Sequence, residues 1–220
     1  MLKDYFDIIF KTAQMSILVP LLVGIFFRFK SFNTIKYILF ILLTISVIVA
    51  LFSRYLWGLK ENNLYLLHFY TVLEFCGWIV IYYLLFESVI MKKILFVLGI
   101  SFIVFSVVNS VFLQPLSTFN SNSRSLESII LVGLSITYFF KIFKEKKVVY
   151  LERNDLFWLN SAALIYFSGS FLLFGFSNLL LQSNSYEIKE VWVIHALFLC
   201  MHYLLITIGL WIKPEQIISH

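Results

Sequence analysis

The chain has 220 residues, of which 61% are hydrophobic and 13% charged, and its formal net charge is +5. This composition excludes an ordinary soluble domain, because the apolar residues fall into runs of about 20, the length that a helix needs to cross a bilayer. The runs lack the alternating polarity of barrel strands, so helices are the predicted spanning elements. The excess of basic residues is typical of membrane-protein topology and gives no reason to expect nucleic-acid binding.

Seven apolar segments predict an all-α, polytopic membrane protein, a seven-transmembrane helix bundle forming a single domain over residues 1–220. In chain order the segments cover 7–29, 35–56, 64–86, 94–113, 126–143, 156–181 and 191–212. Pro20 lies in the middle of the first segment and predicts a kink there. Pro115 follows the fourth segment, and the Ser- and Asn-rich stretch 117–125 predicts an outer loop before the fifth.

The distribution of basic residues predicts an outside N-terminus and a cytoplasmic C-terminus. In this orientation eleven of the 17 Lys and Arg residues lie on the cytoplasmic side, as the positive-inside rule favours. Lys3 and Lys11 lie on the disfavoured side. The N-terminal residues lack the pattern of a removable signal peptide. Cys76 and Cys200 fall inside predicted helices, so we expect them to pack in the bundle and not to form an extracellular disulfide.

Ionisable side chains inside spans are costly and are therefore candidates for function. At about 1.5 Å per residue, Glu74 and His202 lie about 15 Å and about 16 Å from the outer ends of their segments, near the middle of the bilayer. His195 lies about 6 Å inside, and Arg124 and Glu127 open the fifth helix. These polar groups all belong to the outer half of the bundle.

This distribution predicts an outward-facing polar pocket that binds a small ligand, an ion or a proton. We place Arg124 and Asn178 at its mouth, and Thr71 and Trp78 on the same helical face as Glu74. The predicted ligand-binding residues are therefore Glu74, Glu127, His195, His202, Arg124, Asn178, Thr71 and Trp78. The alternative interpretation is that these groups only form hydrogen bonds between helices.

The same residues limit the chemistry that the protein could perform. The last helix has no lysine before Lys213, which excludes a retinal Schiff base. His195 and His202 are two turns apart, too far for both to bind one zinc ion at about 2.0–2.1 Å per bond. A metal site would therefore need Glu74 or Glu127 beside one of the two histidines. The chain has no nucleotide-binding or paired-cysteine motif, and it leaves any cofactor unidentified.

Six short stretches in helices 3 to 7 carry a family likeness. They are FYTVLEF at 69–75, SLESI at 125–129, LFWLNS at 156–161, YFSGS at 166–170, WVIH at 192–195 and GLW at 209–211. Together they resemble the small seven-helix proteins of Bacteroidota that are encoded beside, or fused to, two-component sensor histidine kinases. The resemblance implies a sensory input module in the bacterial cytoplasmic (inner) membrane, with Glu74, Glu127 and His195 at the family's polar positions. Because the chain ends soon after helix 7, the resemblance implies that a signal passes to a separate partner, such as a sensor histidine kinase or another membrane signalling protein.

The leading hypothesis is therefore a non-enzymatic, receptor-like sensor in the lipid bilayer. The alternative is a small-molecule or ion transporter or channel using the same Glu and His groups, and an intramembrane metal-dependent hydrolase comes third. A tightly packed apolar layer beneath the polar groups would favour sensing. A continuous polar path from them to Asn160 would favour transport.

Overall fold

The computed structural model describes residues 2–145, 150–182 and 187–212, with side chains described except at 2–4, 7, 178–182 and 187–190. This part of the chain contains seven helices long and apolar enough to cross a membrane. The prediction of a multi-pass, all-helical membrane protein is thereby confirmed for the described ranges. Lys146, Lys147 and Lys213, which contributed to the predicted orientation, lie outside the described residues.

The helices follow the seven predicted segments. Helix α1 has two pieces, Leu2–Met15 and Leu18–Val23, followed by a π-helical turn, Gly24–Arg28. The others are α2 (Thr34–Gly58), α3 (Tyr65–Leu85), α4 (Val89–Val108, with a π-helical turn at Asn109–Leu113), α5 (Ser121–Glu145), α6 (Asp155–Gln182) and α7 (Glu187–Trp211). The connections after α2, α4 and α6 mark what we call the predicted outer end, and those after α1, α3 and α5 the predicted inner end.

The predicted kink at Pro20 coincides with the break in α1. A proline ring clashes with the carbonyl four residues earlier and donates no hydrogen bond to it. That residue is Ser16, where the first helical piece has just ended, and its carbonyl accepts a bond from the Val19 N–H at 3.1 Å. The break lets the two halves of α1 follow α7 along different directions, and both halves contact α7.

Helix α5 begins at Ser121 and not at the predicted 126, and this difference affects the site. The Ser- and Asn-rich composition is typical of a loop, yet two of these side chains have partners at the end of α4. The Ser121 hydroxyl accepts from Gln114 Nε2 at 2.6 Å, and Asn122 Nδ2 donates to Asn109 Oδ1 at 2.9 Å. Because the π-helical turn of α4 satisfies these groups, the extra turn of α5 is stable, and it carries Arg124.

The helices form a ring of sequence neighbours closed by α1 against α7, with α3 also packing against α5. The most extensive contacts join α5 to α6 and α6 to α7. Helix α3 contributes a nearly continuous buried face that includes Phe75, Trp78 and Tyr82. The rings of Phe75 and Phe102 stack with centroids 3.8 Å apart, which fixes α3 against α4. The core of the bundle therefore lies around α3, α5 and α6.

A buried ion pair joins three helices at the predicted inner end. Lys36 Nζ lies 3.0 Å from Asp155 Oδ2 and donates to the carbonyl of Ile212 at 2.6 Å. Lys36 is 1% and Asp155 4% exposed. Because the partners lie at the start of α2, the start of α6 and just past α7, this contact holds these three helix ends together.

Candidate functional site

The strongest concentration of buried charge is a cluster of Glu74, Arg124 and Glu127. Arg124 Nη1 donates to Glu74 Oε2 and, at 2.8 Å, to Glu127 Oε2. The three residues are 8%, 8% and 0% exposed, respectively. Helix α3 supplies Glu74, and α5 supplies the other two at positions three apart, on one face of the helix. The cluster thus joins the two central helices through charged groups in direct contact.

Aromatic side chains enclose the cluster. Tyr70, one turn before Glu74 on α3, donates its hydroxyl proton to Glu74 Oε1 at 3.0 Å. The same hydroxyl lies 2.7 Å from Ser46 Oγ, which extends the network to α2. The Arg124 guanidinium carbon lies 4.5 Å from the centre of the Phe174 ring on α6, close enough for a cation–π interaction. Low-dielectric surroundings of this kind strengthen the ion pairs and make any unpaired charge costly.

The charges in the cluster do not balance. Two carboxylates share one guanidinium, and Glu127 Oε1 is buried with no hydrogen-bond partner in the part of the chain that the structure describes. An ionised carboxylate has two oxygens that accept hydrogen bonds. Burying one of them without a partner lowers the stability of the fold by about 1–3 kcal/mol or more. A proton or a small cation at this oxygen would supply both the missing partner and the missing positive charge.

Tyr166 connects the charged cluster to the two histidines of α7. Arg124 Nη2 donates to the Tyr166 hydroxyl at 3.3 Å. The Tyr166 ring lies 4.7 Å from the His202 ring and 5.9 Å from the His195 ring, by centroids. His202 Nδ1 donates to the Ala162 carbonyl at 2.9 Å, and His195 Nδ1 lies 2.9 Å from Ser170 Oγ. Both histidines therefore point towards α6, and Tyr166 separates them from the carboxylates.

An apolar layer lies below Glu74 and Glu127, towards the predicted inner end: Trp78 and Leu131 follow them by four residues on α3 and α5, and Phe167 on α6 packs against Trp78. It consists of Trp78, Leu131 and Phe167, all buried, with Trp78 and Phe167 packed edge to face at 6.2 Å. A second polar network follows below this layer on the same three helices. There the Tyr82 hydroxyl donates to Asn160 Oδ1 at 2.9 Å and lies 2.6 Å from Ser135 Oγ.

The two polar networks are thus separate. Glu127 and Ser135 are eight residues apart on α5, or about 12 Å along the helix. The adjoining cavity, which Tyr82 and Asn160 help to line, measures about 10 Å³, no more than about one water needs. The described side chains provide hydrogen bonds within each network and apolar packing between them.

The remaining predicted residues take other roles. Thr71 is fully buried, but it bonds to the Leu67 carbonyl and to Asn120, and not to the charged cluster. Trp78 belongs to the apolar layer. Asn178 lies in the last turns of α6, and its side chain is outside the described residues.

The four weak metal candidates are Glu74, Glu127, His195 and His202. The two carboxylates bind Arg124, whereas the two histidines bond to α6. Among the described residues, no three His, Cys, Asp or Glu side chains form a group that would hold a metal ion.

Arg124 does not lie where the sequence predicted it, and the site includes residues that were not predicted. We expected Arg124 at the mouth of a pocket, but the extra turn of α5 carries it inside, between the carboxylates. Tyr70 and Phe174 were not predicted as site residues, nor was Tyr166. Tyr70 had a detectable signal, since it lies four residues before Glu74 and so on the same helical face. The aromatic residues of α6 had none, because that helix is apolar on all sides.

Fold and site together define a multi-pass helical membrane protein with a buried, charge-unbalanced cluster between α3, α5 and α6. The chain matches no family model, no curated protein and no solved structure.

Proposed function

We propose that the protein is a membrane sensor in which the Glu74–Arg124–Glu127 cluster takes up a proton or a small cation. The observation that carries this proposal is the Glu127 oxygen Oε1, which is wholly buried and has no hydrogen-bond partner among the described residues, in a cluster with more acidic than basic groups. Ionisable groups inside a membrane are rarely kept without a function.

Uptake of positive charge would change which groups Arg124 binds. A proton or cation on Glu127 weakens its attraction to the guanidinium, which also donates to Glu74 on α3 and Tyr166 on α6. The equilibrium between two arrangements of these helices shifts only if the ion binds one arrangement more tightly. Arg124 provides that difference, because its contacts to α3 and α6 depend on the charge of Glu127.

The packing beneath the cluster supports sensing over transport. A transporter needs the ion to leave on the other side, which requires polar groups or water along the path. Leu131 and Phe167 have no polar side-chain atom and Trp78 has only its indole N–H, and the network of Tyr82 and Asn160 begins below them. We infer that a change at the cluster moves helices against each other and passes to a separate signalling partner at the cytoplasmic face. The resemblance to kinase-associated proteins supports a sensor histidine kinase as that partner.

The test is a titration of the purified protein in lipid nanodiscs. Trp78 lies one turn from Glu74, so its fluorescence, isolated by replacing the other four tryptophans, reports on the cluster. We expect the emission to change with pH, or with Na⁺ exchanged for choline at constant ionic strength. Glu127→Gln should abolish the change, whereas the exposed Glu61→Gln should retain it.

Two results would count against the sensor. An unchanged response in Glu127→Gln would refute the site. In liposomes, proton or sodium flux that depends on Glu127 would instead establish the transporter.

A further inference from the structure

A cleft opens at the predicted inner end between the α3–α4 connection and the last turns of α5. This open cleft has a volume of about 360 Å³, within the range of about 300–1,000 Å³ in which small-molecule sites fall. Its polar rim is formed by Glu87, Lys141, Lys144 and Glu145. The cleft is therefore lined by two cationic and two anionic side chains, and shares no residue with the Glu74–Arg124–Glu127 cluster.

The two lysines are placed to bind a phosphate. Lys141 Nζ donates to the Leu85 carbonyl at 2.7 Å, which holds the ammonium at the cleft and leaves two of its three protons for other acceptors. It forms ion pairs with Glu87 and Glu145, both at 3.9 Å, a distance too long for hydrogen bonds. Lys144, one turn further along α5, pairs with none of the residues that the structure describes. A phosphate between these lysines would complete their hydrogen bonding.

The acidic side chains of the cleft can bind a positively charged group on the same ligand. The Glu87 side chain is 82% exposed, and its neighbour Ser88 begins α4 at the same rim. A simple anion would be attracted by the lysines but repelled by the carboxylates. A zwitterion with a phosphate and a primary ammonium interacts favourably with both. Its phosphate binds the lysines, and its ammonium donates up to three hydrogen bonds to the carboxylates.

The other wall of the cleft faces the acyl chains of the bilayer. Phe140 is 70% exposed and Thr137, nearly one turn closer to the bilayer centre, is also exposed. Lys141 lies four residues before the end of α5, or about 6 Å from it, which is the depth of the headgroups when the helix spans the bilayer. The charged rim can therefore bind a lipid headgroup, and the apolar wall can contact the acyl chains of the same lipid.

We propose that this cleft binds phosphatidylethanolamine, with the lipid phosphate at Lys141 and Lys144 and the ammonium group at Glu87. The charge pattern favours it over anionic phosphatidylglycerol, which has no ammonium. It is also favoured over phosphatidylcholine, whose methylated ammonium donates no hydrogen bond.

The test is lipid binding by native mass spectrometry of the intact protein, with the three lipids carrying identical acyl chains. We expect phosphatidylethanolamine to bind about tenfold more tightly than either competitor, as one charged hydrogen bond implies. Lys144→Gln should weaken it about five- to tenfold, whereas Lys93→Gln, on the exposed surface of α4 outside the cleft, should not. Glu87→Gln should remove the preference over phosphatidylglycerol. Circular dichroism checks that each variant keeps its helices.

Three outcomes would overturn the proposal. The first is equal binding of the three lipids, or tightest binding of phosphatidylglycerol by the unmodified protein. The second is an effect of Lys144→Gln no larger than that of Lys93→Gln. The third is displacement by soluble phosphoethanolamine at concentrations similar to those of the lipid, which would identify a water-soluble ligand.

Discussion

Replacing Arg124 by Met tests whether the buried cluster is organised around a single cation. The substitution keeps an unbranched apolar stem but removes the guanidinium, and so leaves the carboxylates of Glu74 and Glu127 without their shared cation. Two unit charges about 5 Å apart repel by about 3 kcal/mol at an effective dielectric constant of about 20. Removing one partner of a buried ion pair typically costs about 3–5 kcal/mol. We therefore expect Arg124→Met to lower the free energy of unfolding by about 3–5 kcal/mol.

The assay is equilibrium unfolding in mixed micelles with increasing SDS, followed by circular dichroism. Arg54→Met is the matched control, because Arg54 is exposed near the end of α2 and its loss should cost no more than about 0.5 kcal/mol. Neutralising both acids in Arg124→Met/Glu74→Gln/Glu127→Gln should recover most of the lost stability, since no unpaired charge remains. The reasoning is refuted if Arg124→Met matches Arg54→Met, or if the triple variant is no more stable than Arg124→Met alone.

Two further predictions use the same unfolding assay. A Cβ on Gly209 would lie 2.5 Å from Leu159 Cδ2, so Gly209→Ala should cost about 1–3 kcal/mol through overpacking. Gly133→Ala meets nothing within 4 Å and should be neutral or stabilising by up to about 1 kcal/mol; equal effects would rule out close packing of α7 on α6 at this point. Tyr82→Phe leaves Asn160 Oδ1 without its donor and should cost about 1–3 kcal/mol. In a double-mutant cycle, Tyr82→Phe and Asn160→Ala should couple by at least about 0.5 kcal/mol, and simple additivity would contradict the hydrogen bond.

The number and order of the helices could be predicted because each span must bury its own backbone hydrogen bonds, which leaves a long apolar run in the sequence. The ends were harder to predict. At Ser121 to Ser125 the sequence has the composition of a loop, yet it forms a helix. The Ser121 hydroxyl and the Asn122 amide bind Gln114 and Asn109 at the end of α4, partners that no local pattern reveals.

The candidate site was partly predictable for the same reason. Glu74 and Glu127 stood out because an acidic group in an apolar segment needs a compensating partner. That partner could not be deduced, because Arg124 lay in the predicted loop, close enough to the membrane surface to reach water. The pairing of Lys36 with Asp155 at the predicted inner end could not be predicted for a similar reason. Each begins a helix, where a charged residue normally faces headgroups, and only the tertiary structure brings them together out of water.

The arrangement of the two polar networks indicates how a local change in charge would move whole helices. Arg124 on α5 binds Glu74 on α3 and Tyr166 on α6, and below the apolar layer Tyr82, Ser135 and Asn160 join the same three helices. Close-packed interiors do not deform continuously, so the layer between the networks transmits displacement as a rigid contact. A shift of α6 that breaks the upper contact must therefore also strain the lower one. Because hydrogen bonds of this kind are either formed or broken, we expect the proposed sensor to switch between two discrete arrangements of α6 against α3.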